Sequence, residues 1–80
     1  MSILPLNFFI EGESGVVEDI KGDTNLFQRL SSMGFNKGAT LQVVKNDLGP
    51  LIVALGGNRV AVERAIAHKI MLEPADLSYE

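Results

Sequence analysis

Hydrophobic residues along this chain recur with a period of two, then of three to four, then of two again, and glycines or an aspartate stand where the period changes. In Gly15-Val-Val-Glu-Asp-Ile-Lys-Gly22, Val16 and Ile20 fall on one face and Val17 on the other. That pattern between two glycines predicts a strand near the start of a small sheet, with Glu18, Asp19 and Lys21 facing water. Asp23 is placed to cap the next segment, Thr24 to Met33, where Leu26, Phe27, Leu30 and Met33 recur at helical spacing and Gln28, Arg29, Ser31 and Ser32 fill the other side. Gly34 reads as the left-handed residue that ends this helix, which makes Phe35 and Leu30 the two positions that touch in a Schellman ending. Asn36-Lys37-Gly38 then turns the chain into Ala39 to Asn46, where Leu41 and Val43 alternate with polar neighbours. A phosphate-binding loop does not fit this corner, because the order is helix then strand and no Gly-Lys-Ser/Thr follows.

The second half reads as a hairpin. A two-residue turn at Gly57-Asn58 pairs Leu55 with Val60 and Val53 with Val62, so four apolar residues share one face while Ile52, Ala54, Ala61 and Glu63 make the other. Asn46 to Pro50 is a turn-rich connection with Leu48 near its tip. Glu63 to Lys69 is long enough for about two helical turns, and Ile70 to Glu73 is a short strand closed by Pro74. The lead-in from Met1 to Gly15 is apolar and then acidic; Pro5 blocks an early helix, and the segment reads as a short packed piece. The count is five short strands, one true helix and one turn of helix, spaced too tightly for parallel crossovers. So short a chain with two sheet edges to hide is most economically a mainly β, SH3-like barrel with an inserted helix. The domain is expected over residues 1–74, with 75–80 a polar, disordered tail.

Composition narrows the function. Eighty residues, 46% of them hydrophobic, hold one domain and one modest core, and the lack of cysteine leaves core packing to carry stability alone. The longest apolar runs are far short of the roughly 20 residues that span a bilayer, and the N-terminus lacks the basic region of a signal peptide, so a cytoplasmic protein is expected. A net charge of -3 opposes the phosphate-neutralising attraction that dominates nucleic-acid binding.

The inventory for catalysis is thin. His68 is the only histidine, and Ser31-Ser32 have no base placed near them. Glu11, Glu13, Glu18 and Asp19 read as solvated charges. His68 with Glu73 or Asp76 would be a poor zinc or iron site without a second imidazole or thiolate, and a helix-end histidine is the better reading. No enzyme, cofactor or metal site is therefore expected. What remains is surface: Leu26, Phe27, Leu30 and Met33 are many for one narrow stripe, so one or two of them are expected to lie exposed beside Leu48. Arg29, in mid-helix, reads as a solvated arginine, with an arginine-finger role the weaker alternative.

The runs Gly12-Glu-Ser-Gly-Val-Val-Glu-Asp-Ile-Lys-Gly22, Arg29 to Asp47 and Gly49 to Glu73 together resemble the FeoA family of small proteins associated with bacterial ferrous iron uptake. The similarity runs from about Leu6 to Glu73, and its most specific part is Arg29-Leu30 followed by Met33-Gly34-Phe35, Gly38 and the strand. Gln28 and Ser31-Ser32 stand where many relatives carry a second basic residue and a leucine-rich run. The resemblance implies an SH3-like barrel acting with the membrane permease FeoB, whose cytosolic portion carries a GTPase domain, in a binding and regulatory role. Contact through Leu26, Phe27, Arg29, Met33 and Leu48 is the expectation, with membrane association only through the partner and weak self-association through exposed strand edges. The alternative is a divalent-metal-sensing domain like the one that ends iron-dependent repressors.

Overall fold

The computed structural model describes residues 2–75; of the tail expected at 75–80, Ala75 belongs to the last strand and residues 76–80 lie outside the described ones. The elements are β1 (Leu4–Pro5), a 3-10 turn (Leu6–Phe8), β2 (Ser14–Ile20), α1 (Thr24–Ser32), β3 (Thr40–Lys45), β4 (Leu51–Leu55), β5 (Asn58–Val62), α2 (Arg64–Ala67) and β6 (Ile70–Ala75). All strand pairings are antiparallel, and the six strands form one sheet in the order β1-β6-β2-β3-β4-β5. This is the SH3-like plan, with α1 inserted between β2 and β3 and a sixth strand contributed by the two residues of β1. Leu6, Phe9, Val17, Leu30, Phe35, Leu41, Val43, Leu51, Val53, Ile70 and Leu72 are among the buried residues of a single core.

The helix-to-strand corner forms as its residues dictate. The Asp23 carboxylate accepts from the Leu26 N–H at 2.9 Å and so satisfies one of the first-turn donors. At the other end Gly34 has φ +106°, the Phe35 N–H donates to Leu30 O at 2.9 Å and the Gly34 N–H to Ser31 O at 3.0 Å. These are the two bonds of a Schellman motif. Phe35 is fully buried beneath the helix end.

Strand β2 departs from strict alternation. Its register against β6 moves between Val17↔Leu72 and Asp19↔Met71, so Glu18 is an extra residue and the chain changes phase there. Val17 and Ile20 consequently share the core, whereas alternation had placed Ile20 with Val16, and Glu18 is half-buried while Asp19 and Lys21 face water. A similar shift between Val43 and Lys45 makes Val44 the extra residue in β3.

The hairpin turn is Gly56-Gly57, one residue earlier than the spacing suggested. Both glycines have positive φ, +61° and +84°, as a type I′ turn requires at its two central positions. The pairs are therefore Leu55↔Asn58, Val53↔Val60 and Leu51↔Val62. Register moves by two residues from the expected one, so the apolar face survives while every partner changes. Val53, Leu55 and Val62 are buried and Val60 half-buried.

Helix α2 is one turn rather than two, and β6 runs through Pro74 to Ala75 instead of ending before it. Proline is tolerated there for a directional reason. Val17 bonds toward β3 through Ala39 O and the Gly38 N–H, so Gly15, of the same parity, also points that way, and the Gly15↔Pro74 pair needs no proline donor. On its other side β6 has lost its neighbour, because β1 stops at Leu4↔Leu72.

Candidate functional site

Helix α1 sorts its four apolar residues by angle. At about 100° per residue Leu26 and Leu30 lie within one stripe, and both are buried; Leu26 is 9% exposed. Phe27, turned off that stripe, is 51% exposed. Met33 shares the angular sector of Leu26, yet it is the C-cap residue beyond the last helical turn and is 41% exposed. Arg29 is exposed on the solvent side.

Met33 stands at the rim of an open groove of about 600 Å³ between the end of α1 and the β4–β5 turn, lined also by Asn36, Thr40, Leu55, Gly56 and Asn58. The hydroxyls on the helix side are already engaged: Ser31 Oγ bonds to Asn36 Oδ1, and Ser32 Oγ donates to Arg29 O at 2.8 Å. Both serine hydroxyls are thus committed at the helix end, while Thr40 and Asn58 also line the groove.

Leu48 is not beside this helix. It is 98% exposed on the loop from β3 to β4, whereas the groove lies at the far end of β4, more than about 13 Å away along the strand. The five residues singled out from the sequence thus divide three ways: Leu26 into the core, Phe27 and Arg29 on α1 with Met33 at its C-cap, and Leu48 at the opposite end. Leu26 is a packing residue, because with Leu30, four positions on, it belongs to the buried core.

The Leu48 end has its own organisation. Asn46 Nδ2 donates to Phe9 O at 2.6 Å and to Asn7 O at 3.3 Å, and the Asn46 N–H donates to Glu11 Oε2 at 3.2 Å. Arg64 Nη2 donates to Asn46 Oδ1 at 2.7 Å and also to Asp47 O. One asparagine therefore ties the lead-in segment, the β3–β4 loop and α2 together. Within that lead-in Leu6 and Phe9 are buried, but Phe8 and Ile10 are exposed. The packed piece expected there is only half packed. Its apolar density, with Ile3, Leu4, Leu6, Phe8, Phe9 and Ile10 in eight residues, exceeds what two strand residues and one turn of helix can bury, and that excess was the available signal.

His68 is exposed at the C-cap of α2, and Asp76 lies outside the described residues. Among the described residues no three His, Asp or Glu side chains converge in a way that would hold a metal ion. The Lys45–Asp47 ion pair, at 3.8 Å with both side chains in water, contributes little. Among the described residues no helix is long and apolar enough to cross a membrane.

Comparison with known proteins places this geometry. A family model described as the FeoA domain matches residues 4–74. The chain is 42% identical over 76 residues to a protein of Methanocaldococcus jannaschii named "Putative Fe(2+) transport protein A", covering 95% of this chain and 93% of that protein. It superimposes with a TM-score of 0.87 and 36% identity on a crystal structure of an iron uptake regulatory protein (FeoA), over 94% of this chain and 100% of that one. A manganese-dependent transcriptional repressor shares the fold at a TM-score of 0.82 and 21% identity, with 91% of this chain matching 42% of that chain.

Proposed function

The chain belongs to the FeoA family, and from that premise we propose that it is a non-catalytic, cytoplasmic accessory of ferrous iron uptake that acts by binding the cytosolic portion of a FeoB-type permease. The observation that carries this reading is the match along nearly the whole chain to a protein named for Fe(2+) transport. The surface supports a contact role: Met33 presents a half-exposed apolar side chain at the groove and Phe27 presents another on α1, with Arg29 between them in sequence. Such a patch is small beside the roughly 800 Å² per partner of a standard stable interface, so the complex is transient, and holding the partner in the membrane raises its effective concentration.

Phe27→Glu and Met33→Glu should leave the thermal unfolding midpoint close to that of the parent, because both side chains already face water, while lowering ferrous uptake and capture of the permease's cytosolic domain. Leu48→Glu asks the same of the opposite end. Full uptake and full capture by all three variants would remove these surfaces from the contact. Leu26 is unsuitable for this test, since a polar group there enters the core.

A further inference from the structure

The sheet has two edges, and they are not alike. Strand β1 is two residues long and includes Pro5, so it offers almost nothing to pair with. Strand β5 is five residues long, contains no proline, and among the described residues has a hydrogen-bonded neighbour only in β4. Which of its groups face outward follows from parity. Val43 exchanges backbone bonds with Gly12 and Glu13 on the β2 side, so Val43↔Val53 is a non-bonded pair and Val53 must bond to β5. The Val53↔Val60, Leu55↔Asn58 and Leu51↔Val62 pairs therefore carry the β4–β5 bonds, and the N–H and C=O groups of Arg59 and Ala61 point away from the sheet. Both residues are exposed.

We propose that this edge pairs with β5 of a second copy of the chain, antiparallel and centred on Val60. In that register Arg59 faces Ala61 of the second copy and Ala61 faces its Arg59, so the two outward-pointing residues of each strand form two bonded pairs and four backbone hydrogen bonds. Val60 meets Val60 of the second copy at the non-bonded position, where side chains approach most closely, and the half-exposed valine is covered. An arginine on an edge usually guards it by opposing a like charge. Here the two-fold axis sets each arginine against an alanine, so the guard does not act on a copy of itself. The ladder cannot lengthen, because the Gly56-Gly57 turn closes one end and α2 begins at Arg64 beyond the other. The contact is thus small and the dimer weak, forming at protein concentrations on the order of 1 mM. This inference concerns self-association and does not depend on the permease reading.

Sedimentation equilibrium between about 0.05 and 2 mM, with amide exchange measured over the same range, tests it. The parent should shift from monomer to dimer, with protection of the Arg59 and Ala61 amides rising with concentration. Ala61→Pro removes only an outward-facing N–H; it should keep the monomer fold and weaken association at least tenfold. Ala61→Glu places a carboxylate opposite Arg59 of the second copy and should tighten association severalfold, whereas Ala61→Arg should weaken it. A parent that stays monomeric throughout, or a dimer indifferent to all three substitutions, overturns the proposal.

Discussion

The two ends of the sheet are built by different means. At the α1 end the chain is held by neighbours in sequence: Asp23 caps the helix three residues ahead, and the Gly34 and Phe35 amides close back onto Ser31 and Leu30. At the Leu48 end the ties are long-range, since Asn46 bonds to Asn7 and Phe9 some 37 to 39 positions away and Arg64 reaches back 17 to 18 positions to Asp47 and Asn46. A local motif forms as soon as its own few residues adopt the right backbone angles. A long-range polar tie forms only once the sheet has brought its parts together. The first end should therefore respond to substitution through backbone geometry and core volume, and the second through lost hydrogen bonds.

The α1 end depends most on Phe35. It is fully buried under the helix end, and Phe35→Ala should cost about 3 to 5 kcal/mol in denaturant unfolding, enough to leave so small a domain largely unfolded. A loss below 1 kcal/mol would mean that the corner is not anchored in the core. Gly34→Val should cost about 2 kcal/mol or more, because a side chain at φ +106° is strained and its Cβ would lie 3.3 Å from Leu55. An unchanged melting temperature would sink the Schellman assignment. Asn46→Ala should cost about 1 to 2 kcal/mol by stranding its partners, and its effect should be regional. Amide exchange should accelerate at Phe9 and Gly12 while the Phe35 N–H keeps its protection. Equal acceleration at both ends would show that they do not behave as separate regions.

The same division explains what could be read in the amino-acid sequence. The Asp23 cap, the Gly34 ending, the Phe35–Leu30 relation and the alternation of Leu41 and Val43 all lie within a few residues of one another, and all are present. The hairpin face was legible because parity survives a two-residue slip, but its turn was not. Gly56-Gly57 and Gly57-Asn58 both accept positive φ, and only the packing of Val53 opposite Val60 decides between them. The extra residue at Glu18 leaves no local mark, since nothing in Val-Val-Glu-Asp-Ile forbids plain alternation. Along the proposed contact surface, Phe27 and Met33 could be suspected from crowding on the helix. The separation of Leu48 from them, and the burial of Leu26, depend on which end of β4 each loop reaches.

Strand β6 is the last described element to be made, yet it lies second in the sheet, between β1 and β2. While the chain is being synthesised, β1 has nothing to pair with, and β2 keeps one side of its backbone bare until Ile70–Ala75 has emerged. The local corner at α1 can assemble early, but the barrel cannot. Completion therefore waits until Ile70–Ala75 has emerged, and a chain halted before Ile70 carries unpaired strand backbone open to pairing with other nascent chains.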